Sequence, residues 1–229
     1  MQLTTELFIA NKNYSSWSLR PWVLMRQLEI PFTERLMPFS GADTAASYRA
    51  FSPSAKVPCL VDGEARVWDS LAIVEYLAET RSGVWPEELT ARTWARCAAA
   101  EMHSGFTQLR NICTMNCGLR IQLHEVAPAL QAELTRLDEL WCEGIGRFGG
   151  HFLAGKNFTA VDAFFAPVAF RLQTYNLQLS VTAMEYVARL LMLEPMREWY
   201  DAALREPWRD DPHEQDAARV GTWLDDLRG

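Results

Sequence analysis

Three serines lie close together near the beginning of the chain, in the sequence NYSSWSLRPW. Pro21 has no N–H and fits best in the first turn of a helix, which favours Ser18 as the helix cap. Ser15 and Ser16 then lie in the preceding loop, facing the positive end of the helix, where a hydroxyl can donate a hydrogen bond to an anion. No histidine or acidic residue lies near enough in the sequence to make one of these serines a nucleophile.

Polar residues also lie at two further predicted boundaries, the start of a helix and the start of a strand. Asp69 and Ser70 immediately precede the helical sequence LAIVEYLAET, and both are good capping residues. A helix N-terminus also offers free N–H groups and a positive dipole to a carboxylate. In SPSAKVPCL, Pro58 stands where a strand should begin and cannot donate to a sheet. Lys56, two residues earlier, is either a solvated charge or an anion contact.

The cysteines do not form a metal or disulfide pattern. There are five: Cys59, Cys97, Cys113, Cys117 and Cys142. Cys113 and Cys117 are four residues apart, which would place them on one face of a helix. None of the four histidines lies at zinc-finger spacing from this pair. We therefore predict buried free thiols and no metal.

Short strand-like and helix-like segments alternate over the first eighty residues. Apolar runs at 6–10 and 32–39 predict strands, separated by a helix at 18–30 and followed by a short helix at 44–51. Asp62-Gly63, between two apolar runs, predicts a β-hairpin. With the helix at 70–80, the order is β-α-β-α-β-β-α around a small mixed sheet.

The pattern changes after the polar stretch at 81–90. No segment from residue 91 onward reads as a strand, and five helices are predicted, the first running unbroken over 91–117. The third is apolar nearly all round and should be buried; Thr159 and Asp162 form a capping box at its start, a structural role. We expect an α/β domain at 1–80, a linker at 81–90 and an all-α domain at 91–229 that ends in a loosely packed polar tail.

Composition limits the classes of function. The chain has 229 residues and a formal net charge of −7, which argues against a nucleic-acid or anionic-membrane partner. No apolar run approaches the roughly 20 residues that span a bilayer. The beginning of the chain lacks the basic start and apolar core of a signal peptide, so a cytoplasmic protein is expected.

The order and spacing of YSSWSLRPW, SPSAKVPCL, the Asp-Ser helix start and the helical region resemble the cytosolic glutathione transferase superfamily over essentially the whole chain. The Ser-Ser-x-Ser run is most similar to zeta-type and related bacterial branches. The resemblance implies a thioredoxin-like first domain, a helical second domain, glutathione as co-substrate and no metal. Ala55 departs from the glycine that many members have before Lys-Val-Pro.

The resemblance also implies roles for particular residues. A cis Val57–Pro58 bond would let the Val57 backbone pair with glutathione as a strand would. Ser70 would hold the γ-glutamyl carboxylate, Asp69 the ammonium and Lys56 the glycyl carboxylate. Ser15 is the first choice to stabilise the glutathione thiolate, with Ser16 close behind. A second substrate would lie between the domains, and its candidate contacts are Trp17, His103, Phe106 and Arg110.

Three functions follow from the resemblance. The first is a transferase that adds glutathione to a small electrophile. The second is a glutathione-dependent cis-trans isomerase of a maleylacetoacetate-like acid, which needs a basic anchor such as Arg20 or Arg110. The third is a non-catalytic dimer that binds partners, although a pure scaffold would not need the serines, Lys56, Pro58 and Ser70 together. A disulfide oxidoreductase is not expected, because no Cys-x-x-Cys follows the first strand.

A homodimer is expected as well. The resemblance suggests it, and so does the apolar content of the predicted long helix, which exceeds what one face can bury. The residues concerned are Trp94, Cys97, Ala98, Met102 and Phe106.

Overall fold

The computed structural model describes residues 5–39 and 41–229. Its first part is a four-stranded sheet with strand order β2-β1-β3-β4, in which β1 and β2 are parallel and the other neighbours antiparallel. The strands are β1 (Glu6–Ile9), β2 (Thr33–Leu36), β3 (Cys59–Asp62) and β4 (Ala65–Trp68), and the helices are α1 (Ser16–Gln27), α2 (Thr44–Tyr48) and α3 (Ser70–Ala78). The predicted order and mixed sheet are confirmed.

Two residues near the sheet have a positive φ, the conformation that glycine adopts most easily. Gly63, with φ of 62°, turns the hairpin between β3 and β4, as predicted from Asp62-Gly63. Ala55, with φ of 55°, adopts the left-handed conformation that favours glycine. The turn before Lys56 therefore keeps a glycine-like conformation although its residue is alanine.

Helix α1 begins earlier than predicted. Ser15 is its N-cap residue and Ser16 its first residue, so Pro21 lies in the second turn. The prediction that Ser18 caps the helix is wrong, because the Ser18 hydroxyl accepts hydrogen bonds from the Ala10 backbone at 3.3 Å and from the Ser15 hydroxyl at 2.7 Å. Ser18 therefore attaches α1 to the end of β1.

The second part is largely helical, as predicted. Its helices are α4 (Leu89–Ser104), α5 (Thr107–Ile112), α6 (Pro128–Phe148), α7 (Ala160–Thr174), α8 (Val181–Met192), α9 (Glu194–Arg205) and α10 (Asp211–Val220). Helix α7 is buried on nearly every side and packs against both α1 and α4. The Thr159–Asp162 capping box is present, and the Asp162 carboxylate also accepts from the Leu153 backbone and the Tyr186 hydroxyl.

The predicted long helix over 91–117 is divided in two. Phe106 has a φ of 54° and is buried in the core, which turns the chain between α4 and α5. The carboxylate of Glu133 on α6 then accepts from the Gln108 and Leu109 backbones, satisfying the first N–H groups of α5. The start of α5 is thus capped by a side chain that is distant in the sequence, so the local sequence pattern did not indicate where this helix begins.

The cysteines and the apolar residues of this region also differ from expectation. Cys113 is the residue after α5 and Cys117 lies in the following loop, so they do not share a helix face. All five cysteines are free, as predicted, but Cys97 is exposed and Cys142 half-buried. Trp94, Ala98, Met102 and Phe106 are buried within one chain, so their apolar character no longer requires a second subunit.

A strand pair was missed. Strands β5 (Leu119–Leu123) and β6 (Gly221–Asp226) form an antiparallel two-stranded sheet, so the second part is not all-α. The alternation of buried leucine and isoleucine with polar residues in LRIQL was a local signal for β5. Its partner is about a hundred residues away, and Gly221 permits the approach because a Cβ there would lie 2.4 Å from the Gln122 carbonyl oxygen.

The residues after α9 are packed, contrary to the expectation of a loose tail. We call residues 206–229, which include α10 and β6, the C-terminal segment. Its Arg228 side chain is 1% exposed and forms ion pairs with Glu214 and Asp226. The Glu206 carboxylate accepts from the backbone N–H groups of Lys12 and Asn13. The segment is therefore attached to the loop that follows β1.

Candidate active site

A cavity of about 460 Å³ lies between the two parts of the chain. One wall comes from the beginning of α1, the loop before β3 and the α2 region; the other comes from α5, α7 and α10. Its lining residues are Tyr14, Ser15, Ser16, Trp17, Phe39, Thr44, Tyr48, Ala55, Lys56, Val57, Arg110, Asn111, Thr114, Met115, Arg171, His213 and Asp216. A cavity of this size suits a small ligand.

The two serines at the beginning of α1 differ in their hydrogen bonds. The Ser15 hydroxyl donates to Ser18 at 2.7 Å, so its proton is engaged. The Ser16 hydroxyl accepts from Nη2 of Arg171 at 3.2 Å, which leaves its own proton available to a ligand. No side chain caps α1, so the positive end of the helix also faces this region. The geometry favours Ser16 as the donor.

Tyr14 lines the cavity, but its hydroxyl is occupied. It donates to Glu214 at 2.5 Å and accepts from the Asp210 backbone at 3.3 Å and from Arg228 at 3.1 Å. Burial, together with the hydrogen bond to Glu214, raises the pKa of Tyr14 to about 12. Tyr14 therefore attaches the C-terminal segment to the beginning of α1 and has no proton left for a ligand.

Three arginines in and around the cavity make it electropositive. Arg110 and Arg171 line it, and Arg20 lies behind Trp17, whose ring is 4.1 Å from the Arg20 guanidinium and 4.3 Å from that of Arg110. Burial, and then mutual repulsion, lowers the pKa of Arg20 to about 9; burial lowers that of Arg171 to about 10. The Nε atoms of both have no hydrogen-bond partner among the described residues. The site thus favours an anion.

Arg171 connects this charge to the serines. Its Nη1 donates to the backbone carbonyl oxygens of Arg110 and Cys113, and its Nη2 donates to Ser16. Because these bonds hold the guanidinium at the end of α5, the cation lies beside the Ser16 hydroxyl. A positive charge at that position stabilises an anion that accepts from Ser16.

The predicted glutathione-binding residues fall into two groups. Lys56 and Val57 line the cavity, and the Val57–Pro58 bond is cis, as the resemblance implied. Asp69 and Ser70 lie outside the lining. Asp69 caps α3 by accepting from the Leu71 backbone at 2.8 Å, and the fully buried Ser70 hydroxyl accepts from Arg20 at 3.3 Å. The predicted cap is confirmed for Asp69, whereas Ser70 is the first residue of α3 and does not cap it.

Of the predicted second-substrate residues, two line the cavity and two do not. Trp17 and Arg110 line the cavity. Phe106 is buried in the core, at the turn between α4 and α5. His103 does not line the cavity; its ring is nearly perpendicular to that of Trp17, and its Nε2 is 3.6 Å from the Asp69 carboxylate. The spacing argument that grouped His103, Phe106 and Arg110 fails because the helix ends between them.

Sequence reasoning missed the contribution of α10 altogether. His213 and Asp216 line the cavity from this helix. Asp210 followed by Pro212 is a local signal for a helix start, with an N-cap residue and a proline in the first turn. Nothing local, however, shows which part of the molecule this helix covers.

Two absences apply to the described part of the chain. Residues 5–39 and 41–229 contain no group of three or more His, Cys, Asp or Glu side chains placed to hold a metal ion. Over the same residues, no helix is both long and apolar enough to span a membrane.

Comparisons with known proteins agree with this architecture. Residues 14–80 match the family model described as "Glutathione S-transferase, N-terminal domain". A "Probable maleylacetoacetate isomerase" of Caenorhabditis elegans is 26% identical over 172 residues, covering 72% of this chain and 77% of that protein.

Solved structures show the same fold at low identity. A glutathione transferase homologue from Burkholderia with bound glutathione has a TM-score of 0.65 at 18% identity, covering 88% of this chain and 98% of that one. A theta-class enzyme from Xanthomonas axonopodis pv. citri with bound glutathione has a TM-score of 0.64 at 20% identity, covering 86% and 97%. The chain therefore has the glutathione transferase fold, and its residues 14–80 match the N-terminal domain of that family.

Proposed function

We propose that this protein is a glutathione transferase that stabilises the glutathione thiolate with a serine at the beginning of α1 and adds it to a small electrophile. The observation that carries the proposal is the cavity itself. It brings Ser16, Lys56 and Val57 of the first domain opposite Arg110 and Arg171 of the helical domain. One wall then holds an extended peptide with an anionic thiol, and the other holds the second substrate.

The thiolate is stabilised by Ser16, the α1 N-terminus and the nearby charge of Arg171. A cysteine thiol has an ordinary pKa of about 8.5, and lowering it by two units requires about 2.7 kcal/mol. A hydrogen bond to a charged acceptor contributes about 1.5–3 kcal/mol, and a helix dipole adds a smaller amount. The two together are sufficient. Ser15, which donates to Ser18, supports the geometry of this turn.

The remaining glutathione contacts follow the resemblance. Lys56 binds the glycyl carboxylate and the Val57 backbone pairs with the peptide. Asp69 and Ser70, at the start of α3, bind the γ-glutamyl end. Arg20, behind Ser70, supplies the positive charge that a carboxylate needs at that helix start.

A second candidate is a glutathione-dependent isomerase of an unsaturated dicarbonyl acid. The observation that favours it is the pair of arginines, since Arg110 and Arg171 in the lining give an acidic substrate the basic anchor it requires. The Caenorhabditis elegans relative bears the name of such an enzyme. A non-catalytic binding role is the third candidate, and the available Ser16 proton beside Arg171 argues against it.

The protein is further proposed to be a cytoplasmic homodimer, for which the resemblance is the basis. Light scattering at micromolar concentration checks the dimer and should give twice the chain mass of 26.1 kDa.

Titration calorimetry with glutathione, followed by assays with 1-chloro-2,4-dinitrobenzene and maleylacetone, tests the function. Binding and conjugation of the haloarene support the transferase, whereas turnover of maleylacetone alone supports the isomerase. Binding without either activity supports the non-catalytic role, and absence of binding contradicts all three.

A further inference from the structure

His213 lies in the first turn of α10 and lines the cavity. Its ring is stacked on Phe39, with ring centres 5.6 Å apart and planes 14° from parallel, and its centre is 5.0 Å from that of Tyr14. The ring thus packs against two aromatic side chains of the first domain, although it belongs to the C-terminal segment.

Asp210 sets the orientation of this imidazole. Its carboxylate is 2.5 Å from Nδ1 of His213 and also accepts from the His213 backbone at 3.4 Å. A carboxylate at Nδ1 holds the proton there, so the nitrogen that remains for exchange with a ligand is Nε2. Nε2 has no hydrogen-bond partner among the described residues. A carboxylate–imidazole pair of this kind is suited to general acid–base catalysis.

We propose that His213 is a catalytic general acid for conjugated carbonyl substrates, and that Asp210 is its positioning residue. This rests on the proposed function, because it assigns to the same cavity a proton donor for the second substrate. The proposal divides electrophiles into two classes, those whose product must gain a proton and those whose product need not.

The proton balance makes the division explicit. With an α,β-unsaturated ketone, the thiolate sulfur forms a bond to the β-carbon, and the π electron pair of the alkene moves to give an enolate. The His213 imidazolium donates its Nε2 proton to the enolate and regains one from solvent, which had received the thiol proton when glutathione bound. With a haloarene, the carbon–sulfur bond forms and the carbon–halogen bond breaks. The halide leaves with its electron pair, and no proton is required.

The other reading of His213 is purely structural, since its ring packs on Phe39 and its backbone is capped by Asp210. His213→Phe separates the two readings because it keeps an aromatic ring at that position and removes the proton. His213→Ala removes both and leaves space for added imidazole. Asp210→Asn retains a helix-capping residue but no longer holds a negative charge at Nδ1.

The experiment measures glutathione conjugation to trans-4-phenylbut-3-en-2-one and to 1-chloro-2,4-dinitrobenzene with the full-length protein. His213→Phe and His213→Ala should lower kcat for the enone by about 100-fold and that for the haloarene by less than about threefold. Free imidazole should restore the enone activity of His213→Ala but not of His213→Phe. Asp210→Asn should lower enone activity by about tenfold. His124→Ala, at an exposed histidine outside the cavity, is the matched control.

Equal losses for both electrophiles, or no recovery with imidazole in His213→Ala, overturn the assignment and leave His213 a packing residue. Unchanged enone activity in His213→Phe does the same. Titration calorimetry of glutathione with the wild-type protein separates this failure from that of the proposed function. If the wild-type protein binds glutathione and turns over the haloarene, any of these results refutes only the role of His213. If the wild-type protein does not bind glutathione, both proposals are refuted.

Discussion

The beginning of α1 and the C-terminal segment form facing parts of one cavity, but they are held in place in different ways. The serines stand at a helix start whose residue types already point to anion binding. The C-terminal segment is rich in charges, which predicted loose packing. Its Arg228 is nevertheless buried, because Glu214, Asp226 and Tyr14 satisfy the guanidinium. Charged composition therefore indicates exposure only where the charges have no partners within the fold.

The two regions also differ in what they bring to a ligand. The α1 side, with Ser16 beside Arg171, offers a proton donor and positive charge. The C-terminal segment brings an aspartate-paired imidazole, His213, and the carboxylate of Asp216. A site with this asymmetry can hold an anion at one side and exchange a proton at the other. Breaking each side separately tests whether the two contributions are independent.

The largest effect is expected from Arg228→Met. Because the variant leaves the partly buried Glu214 carboxylate without its positively charged partner, the free energy of unfolding should fall by about 3 kcal/mol. Urea denaturation measures the change. The matched control is Arg219→Ala in the same segment, whose side chain is 71% exposed, and it should cost less than about 0.5 kcal/mol. Similar small losses in both variants would mean that the segment contributes little to stability.

The next effect concerns the serines. Ser16→Ala should lower kcat/KM for conjugation by about 10- to 100-fold and raise the pKa of bound glutathione by about one to two units, because it removes a hydrogen bond to the thiolate. Ser15→Ala should change both less. Thiolate ultraviolet absorbance in the binary complex reports the pKa. A larger pKa increase in Ser15→Ala would assign the donor role to Ser15. If neither variant raises the pKa of bound glutathione, backbone groups alone stabilise the thiolate.

The stability difference between wild type and Arg228→Met should depend on pH. Burial alone would raise the pKa of Glu214, but the hydrogen bonds from Arg228 and Tyr14 outweigh it and hold that pKa below its ordinary value of 4.5. A carboxyl group whose pKa is lower in the folded than in the unfolded chain stabilises the fold at pH values above its unfolded-state pKa. This stabilisation is lost as the pH falls through the folded-state pKa. The difference should therefore narrow below pH 4.5. Urea denaturation at several pH values measures it, and a constant difference contradicts this account.

The smallest effect is expected from Ser70→Ala. If Ser70 and Arg20 hold the γ-glutamyl end equally in the ground and transition states, the KM for glutathione should rise by about 2- to 10-fold with little change in kcat. Steady-state kinetics with varied glutathione measure both constants, and Ser104→Ala on the exposed face of α4 is the control. A fall in kcat at constant KM would show that this role is misassigned.

Local sequence signals were sufficient for several features in both parts of the chain. The Asp62-Gly63 hairpin, the Asp69 cap of α3 and the Thr159–Asp162 capping box all depend on residues within a few positions of one another. The same holds for α6, whose apolar periodicity and first-turn proline delimit it well. Signals of this range are present in the chain before it folds.

Features that depend on distant partners could not be read in this way. Ser18 lies inside α1 because Ala10 offers it a backbone N–H, and α5 begins where it does because Glu133 caps it from α6. Strand β5 exists because β6 comes to it from the end of the chain. Each requires a contact whose partner is set by the packing of other elements.

The amino-acid sequence was therefore enough to establish the chemistry available at the beginning of α1 and the kind of fold that presents it. Which serine keeps a free proton was decided by the folded chain, in which Ser15 donates to Ser18 whereas Ser16 accepts from Arg171, 155 positions later in the chain. His213 belongs to a segment that the pairing of β5 with β6 and the ion pairs of the buried Arg228 attach to the rest of the chain. Propensities and caps act over a few residues, whereas burial and charge pairing act through space, so only the folded chain determines which polar groups meet.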